Sequence, residues 1–350
     1  MVELRSVPVR WCFPVVGFLL AAGLIAKANE PNKDGKRAVV VAPVAARGNI
    51  FCDEECEFKF KVQAAPGIKG RVVWRVAAGT ATVKAGELAL IVKPDASAEI
   101  SIKLTIPAIK EGVVLHTKLT VSVIEHDQKR PSASFEQDLW IFPKDPFADR
   151  SEWLKKLKLN LFDPKGDTAK VFTAAKIPFE ECKSVEALLE TKEGVVVVGE
   201  GISFKDEKEL GTAVQKLAAT GLTVLILAPS EGEVPIPGLG GPNGGVEDLS
   251  FRREIVRRLD KRLDPDGWLP DGKVVASSLT VKMGEDVIGG EVMPGPGGWV
   301  WIEARHGTGK GRWAFCGLAV IAKWEASPTP RFLFAKMLEY LTDSQSDQPK

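Results

Sequence analysis

The chain has 350 residues, with 47 Lys and Arg against 46 Asp and Glu, a formal net charge of +1, 45% hydrophobic residues and 27% charged. These are the proportions of a folded globular protein and exclude wholesale disorder. The balanced charge lacks the basic excess of a dedicated nucleic-acid binder, so no nucleic-acid partner is expected. At this length two domains are expected, each able to bury its own core without metal or disulfide staples.

Arg5 and Arg10 precede an apolar run over residues 11–26, and Ala26-Lys27-Ala28 has the small-x-small form of a signal-peptidase site. Residues 1–28 therefore read as an export signal, and the expected address is periplasmic or extracellular. The alternative is an uncleaved anchor, the one segment through which the chain would meet a membrane, although the run is short for a bilayer core and is broken by Pro14. Cleavage leaves a nearly neutral chain that has lost Cys12 and keeps Cys52, Cys56, Cys182 and Cys316. Cys52 and Cys56 could form a local disulfide across a tight Asp53-Glu54-Glu55 turn, or stand as two buried thiols. The C-x-x-x-C spacing has no second ligand pair nearby, which argues against a metal. Cys182 and Cys316 lie in apolar stretches and read as core thiols.

From residue 47 to 125 the pattern has period two. Phe58, Phe60 and Val62 alternate with Glu57, Lys59 and Lys61; Val72, Trp74 and Val76 alternate with Arg71 and Arg75; Ile100, Ile102 and Leu104 and then Leu119, Val121 and Val123 continue it. Pro66-Gly67, Lys84-Ala85-Gly86, Pro94-Asp95 and Lys110-Glu111-Gly112 fall between the runs as turns. The expectation is an all-β, Ig-like sandwich over residues 38–126.

Residues 127–136 are polar, carry Pro131 and read as a linker that leaves the domains some freedom. From 137 to 342 the grammar becomes strand, helix, strand. Leu139-Trp140-Ile141-Phe142 is strand-like, as are residues 157–162. The uninterrupted Val195-Val196-Val197-Val198 is what a parallel strand buried on both faces requires. Leu210, Ala213, Val214 and Leu217 form a helical stripe that stops at Gly221, and residues 222–227 form the next strand. Residues 235–245 are Gly- and Pro-rich and read as a loop. Phe251, Ile255, Val256, Leu259 and Leu263 then make a helical stripe beneath Arg252, Arg253, Arg257, Arg258, Lys261 and Arg262. Two strands with a Gly-rich turn precede a last helix opening at Thr329-Pro330, and residues 343–350 form a polar tail. Repeated βαβ units imply an α/β, doubly wound parallel sheet.

This second domain, over about 200 residues, resembles the class I glutamine-amidotransferase-like, flavodoxin-like fold in its layout. The residues that carry the resemblance are the 159–166 strand and turn before a helix, the Gly199-Glu200-Gly201 end of the valine strand, the 222–229 strand, and the 311–317 strand before the last helix. Degenerate versions occur in secreted bacterial proteins beside Ig-like sandwiches. Active members place a Cys on the turn after a buried strand. Here that turn reads Leu227-Ala228-Pro229-Ser230-Glu231-Gly232, and His306 is not in the family's His-x-Glu arrangement. The resemblance thus implies a domain without glutamine amidotransferase activity.

A ligand site in such a sheet belongs beyond the carboxyl ends of the strands. Asp163, Lys165, Glu200, Ser203, Ser230 and Glu231 fall there, either as carboxylates for acid–base work or as caps and solvated side chains. A triad of Ser230, His306 and Glu200 lacks the first glycine of the G-x-S-x-G elbow. Gly307-Thr308-Gly309-Lys310-Gly311 fails as a phosphate loop, because a strand follows it rather than a helix. The basic residues Arg252, Arg253, Arg257 and Arg258 could meet an acidic partner, or simply form a solvated helix face. Trp299 and Trp301, expected on one strand face, could stack on sugar rings or lie in the core. No cofactor is expected. The leading expectation is an exported, non-catalytic binding or scaffold protein that recognises an extracytoplasmic protein or glycan. The alternative is an extracytoplasmic, carbohydrate-related hydrolase using Asp163, Glu200, Ser230 and Glu231.

Overall fold

The computed structural model describes residues 39–45, 47–94, 96–236, 245–265, 278–283, 286–289, 299–307 and 311–343. The expected export signal, most of the 235–245 loop, the centre of the Gly-rich turn and the tail past Asp343 lie outside the described residues.

The first half is eight strands: β1 (Val39–Pro43), β2 (Asn49–Phe51), β3 (Glu55–Ala64), β4 (Ile68–Ala78), β5 (Ala81–Val92), β6 (Ser97–Thr105), β7 (Leu115–Glu125) and β8 (Ala133–Phe142). They form a three-stranded sheet, β1-β3-β6, and a five-stranded one, β2-β8-β7-β4-β5. The period-two residues do as the alternation demands. Phe58, Phe60 and Val62 of β3 and Ile100, Ile102 and Leu104 of β6 share one core with Val72, Trp74 and Val76 of β4 and with Leu119, Val121 and Val123 of β7. Gly86 of β5 makes room for the Trp74 indole, since a Cβ there would sit 2.6 Å from Trp74 Cζ2. Gly67, at φ +71°, closes the β3–β4 turn by donating to the Ala64 carbonyl at 3.0 Å.

The expected linker is corrected. Residues 126–132 form a hairpin connection, and β8 pairs antiparallel with β7 from Val123↔Ala133 to Leu115↔Ile141. Ser134, Glu136 and Asp138 look like linker residues in sequence because they are the outward half of this alternating strand, whereas Phe135, Leu139 and Ile141 enter the core. The stretch expected to open the second domain is thus the end of the first.

The second half runs α1 (Ser151–Lys156), β9 (Leu159–Phe162), α2 (Asp167–Ala174), β10 (Glu180–Cys182), α3 (Val185–Leu189), β11 (Val195–Val198), α4 (Leu210–Ala219), β12 (Thr223–Leu227), β13 (Glu231–Ile236), β14 (Val246–Arg252), α5 (Ile255–Leu259), β15 (Ser278–Met283), β16 (Asp286–Gly289), β17 (Trp301–His306), β18 (Arg312–Cys316) and α6 (Pro328–Thr342). Seven strands lie in the order β10-β9-β11-β12-β18-β17-β14, and β13-β15-β16 make a small separate sheet. Pairing is parallel from β10 through β18 and antiparallel for β17 and β14. Strand order reverses between β9 and β11. The valines of β11 are buried on both faces: Val195 and Val197 meet α1, α2 and α6, while Val196 and Val198 meet α3 and α4. Helices therefore cover both faces of the sheet.

The expected helix over 251–263 is shortened to α5. Phe251 belongs to β14, in register with Ile302 of β17, and packs on the α3–α4 face against Trp299, with ring centroids 5.5 Å apart. Only Ile255, Val256, Leu259 and Leu263 turn toward the α6 side.

The two halves share a core and a hydrogen-bond node. Phe51 and Phe142, from the ends of β2 and β8, lie in the same apolar cluster as α6, and the Phe142 and Phe332 rings are 4.6 Å apart. The Thr329 hydroxyl accepts from Asn49 Nδ2 at 2.9 Å and from the Asp264 amide at 3.1 Å, and donates to the Asp264 carbonyl at 3.0 Å. Asp264 Oδ2 in turn accepts from the Gly48 amide at 2.6 Å. Buried Arg331 donates to the carbonyls of Trp324 and Lys144 and lies over the Phe51 ring at 4.6 Å. No helix among the described residues is long and apolar enough to cross a membrane.

Candidate functional site

At the carboxyl edge of the parallel strands, the expected polar residues are engaged by the fold, apart from Asp163 Oδ1, which is buried without a hydrogen-bond partner. Asp163 follows β9 and is 3% exposed; its Oδ2 accepts from the Ala169 amide at 2.9 Å, tying down the first turn of α2. Its carboxyl lies against Gly199, where a Cβ would come within 2.9 Å of Asp163 Cγ. Glu200 bridges three segments. Its amide donates to Thr168 Oγ1 at 2.9 Å, and its carboxylate accepts from the amides of Ile321 at 2.7 Å and Ala322 at 3.0 Å, holding the turn after β18. Burial pushes the Glu200 carboxyl above its ordinary range, and the amides of residues 320–322 pull it part of the way back. Ser203 Oγ caps the next turn by accepting from the Asp206 amide at 3.1 Å and faces Glu231 Oε1 at 3.5 Å. Glu231 also lies 3.8 Å from Lys205 Nζ, and Lys165 Nζ donates to the Gly201 carbonyl at 2.6 Å. Ser230 follows β12, and its amide donates to the Ile202 carbonyl.

The Ser230–His306–Glu200 arrangement is ruled out by topology. His306 ends β17, which runs antiparallel to β18, so it sits at the amino edge of the parallel strands, opposite Ser230 and Glu200. There its Nε2 meets Gln215 Oε1 of α4 at 3.2 Å, and the same oxygen accepts from Trp313 Nε1 at 3.0 Å.

Cys52 and Cys56 are free, buried thiols, so the local disulfide is corrected to the thiol alternative; Cys182 and Cys316 are free and buried too. Asp53, at φ +55°, swings the chain from β2 in one sheet to β3 in the other, and Cys56 pairs in register with Leu104. Burial pushes the Cys56 thiol up to about 11 and the Cys316 thiol up to about 12, which leaves them poor nucleophiles. Among the described residues no group of three or more His, Cys, Asp or Glu side chains is placed to hold a metal ion.

The basic segment has a setting that the sequence did not disclose. A groove of about 960 Å³ opens between the outer face of the five-stranded sheet and residues 252–264. Trp140, Glu136 and Asp138 of β8 line one wall with Arg47, and Arg252, Arg257, Arg258 and Lys261 line the other. Trp140 projects outward because Leu139 and Ile141 point into the core, and its ring is stacked on His116 at 4.3 Å. His116 Nε2 lies 3.1 Å from Asp138. Arg257, Arg258 and Lys261 are exposed, and Arg252 Nε is buried without a hydrogen-bond partner. Arg262 is fixed by its fork on Asp260, with bonds of 2.6–3.1 Å. Burial works to raise the Asp260 carboxyl, but the Arg262 hydrogen bonds and charge outweigh it and hold the group below its ordinary range.

The remaining expected binding residues separate. Arg253 does not line the groove; its guanidinium lies over half-buried Trp299 at 4.9 Å. Trp299 and Trp301 do not share a face: Trp299 packs toward α3 and α4, whereas Trp301 is fully buried on the α6 side. A second hollow of about 270 Å³ lies between Lys170, Val171 and Ala174 of α2 and residues 321–326. Neither hollow is lined by Asp163, Glu200, Ser230 or Glu231.

No protein-family model matches this sequence, and a comparison with curated proteins finds no match. Among solved structures, a cycloisomaltooligosaccharide glucanotransferase from Paenibacillus is 10% identical over 45% of this chain and 19% of its own, with a TM-score of 0.24. A sporulation control protein from Bacillus subtilis is 13% identical over 35% of this chain and 55% of its own, at 0.25. A CARDB domain from Pyrococcus furiosus is 13% identical over 31% of this chain and 94% of its own, at 0.20. The chain spans under a fifth of the glucanotransferase's length, and likenesses at this level carry no functional argument.

Proposed function

We propose that this is an exported, non-catalytic binding protein in which an Ig-like sandwich is docked on a degenerate amidotransferase-like domain, and that it recognises its partner in the groove between them. The observation that carries the reading is the groove itself: exposed Arg257, Arg258 and Lys261 face Trp140 across a space of about 960 Å³. That volume falls within the roughly 300–1,000 Å³ typical of ligand sites. The flavodoxin-like assignment draws support from the parallel strand order, which in chain sequence is 2-1-3-4-5. The hydrolase reading draws little support, because Asp163 and Glu200 are hydrogen-bonded to backbone amides and Glu231 is turned to Ser203 and Lys205.

The test is a capture experiment. Tagged chain without residues 1–28 and its Arg257→Glu/Arg258→Glu variant are each incubated with the native extracytoplasmic fraction, and bound proteins and glycans are identified by mass spectrometry. A partner recovered with the parent and lost with the variant is the expected result. Recovery indifferent to the variant, with loss on Glu231→Gln, would move the site to the sheet edge.

A further inference from the structure

Resting on the groove as the recognition site, we infer that its ligand is an anionic oligosaccharide, a short run of sugar rings bearing carboxylate or sulfate groups. The two walls differ in chemistry. Arg252, Arg257, Arg258 and Lys261 outnumber the exposed carboxylate of Glu254 on one wall and give it a concentration of donors suited to an oxyanion, and guanidinium forks bind carboxylate and sulfate-like groups bidentately. The facing wall is mixed: exposed Glu136 and Asp138 stand beside Arg47, with Lys118 3.6 Å from Glu136 and His116 3.1 Å from Asp138. A ligand that offers an anion to the arginines and hydrogen-bond donors to Glu136 and Asp138 suits both walls.

Sugars meet both demands. Ring hydroxyls donate to carboxylates, and a substituent carboxylate or sulfate reaches the arginines. In the β8 wall the half-buried Trp140 indole, stacked on His116 at 4.3 Å, is an aromatic surface of the kind that sugar rings pack against. An acidic peptide fits less well, since carboxylates along its length would meet Glu136 and Asp138 as well as the arginines, and like charges brought together are repelled. A neutral glycan would supply no counter-charge to the basic excess of the arginine wall beyond Glu254. The groove volume of about 960 Å³ lies at the upper end of the ligand-site range, which suits several linked rings rather than one.

The experiment is calorimetric titration of the folded chain without residues 1–28, at low and at physiological salt. The probes are a tetragalacturonate, a sulfated chondroitin tetrasaccharide, neutral cellotetraose and a Glu-rich octapeptide. The expected result is binding of one or both anionic sugars, weaker at higher salt, with cellotetraose and the peptide each at least about tenfold weaker. The ranking of uronate against sulfate identifies which anion is read. Arg257→Glu/Arg258→Glu should lose at least about tenfold in affinity while keeping its melting temperature, because both side chains are exposed. Trp140→Phe, which keeps an aromatic surface, should weaken binding less than Trp140→Leu. Lys61→Glu on β3, an exposed change in the other sheet, should change nothing.

Preferred binding of the peptide, abolished by the double charge reversal, overturns the sugar assignment and leaves the groove as the binding site. Absence of binding by every probe overturns the sugar assignment as well. If partner capture is then also indifferent to the double variant, the groove reading falls with it. Equal sugar affinity in the parent and the double variant overturns the placement of the anion.

Discussion

Asn49 and Thr329 stand 280 positions apart in the chain, and Asn49 Nδ2 donates to the Thr329 hydroxyl at 2.9 Å. Both residues are fully buried, and the same hydroxyl serves the amide and the carbonyl of Asp264. This node joins β2 to α6 and to the segment that carries the basic wall of the groove. The groove is therefore held between two fixed walls.

Thr329→Val keeps the shape of the side chain and deprives the Asn49 and Asp264 donors of their acceptor. An unsatisfied buried donor costs about 1–3 kcal/mol, so a loss of about 2–4 kcal/mol is expected in chemical denaturation. The parent should unfold in a single calorimetric transition, because the halves share the cluster around Phe142 and Phe332. Two resolved transitions in the parent would show that the halves are independent.

Gly86→Ala places a Cβ against the Trp74 indole, at 2.6 Å before relaxation. Overpacking of this kind costs about 1–3 kcal/mol and must displace the ring or the strand. A shifted denaturation midpoint together with altered near-ultraviolet circular dichroism checks it. An unchanged midpoint would contradict the packing of β5 on β4.

Glu200 supplies a pH dependence of definite sign. Burial raises its folded-state pKa above the ordinary 4.5, so the folded chain holds that proton more tightly than the unfolded chain does. Its titration thus contributes stability that is fully present below about pH 4.5 and is lost as pH rises through the folded value. Glu200→Gln abolishes the titration. The stability of the parent relative to this variant should fall as pH rises above about 4.5, measured by urea denaturation at each pH. A difference that rises over that window would reverse the assignment.

The buried thiols give a simple chemical readout. Chain lacking residues 1–28 should show no rapid reaction with a thiol reagent when native, and four thiols when unfolded. Two thiols on unfolding would restore a disulfide between Cys52 and Cys56.

Much of this architecture is legible in the residues, for identifiable reasons. The alternation through Phe58 to Val62 and Leu119 to Val123 reports one buried sheet face, and the run Val195 to Val198 reports two. The departures from local pattern also have physical causes. β8 carries Ser134, Glu136 and Asp138 on its solvent side just after Pro131, so local polarity resembles a linker until the pairing with β7 is known. Phe251 falls at helical spacing from Ile255, yet its register with Ile302 makes it a strand residue. The groove depends on both points at once. Arg257 and Arg258 stand out as charges, but Trp140 and Asp138 come opposite them only because β8 belongs to the first sheet. The carboxylates at the sheet edge are legible by position, whereas the bonds of Glu200 to the amides of Ile321 and Ala322, far along the chain, leave no trace in local sequence.

The most direct test of the groove as the recognition site is hydrogen–deuterium exchange with and without a saturating anionic tetrasaccharide. Slowed exchange confined to residues 136–140 and 252–264 is the expected result. Protection of residues 199–203 and 228–231, with the groove unchanged, would contradict it and place the site at the carboxyl edge of the sheet.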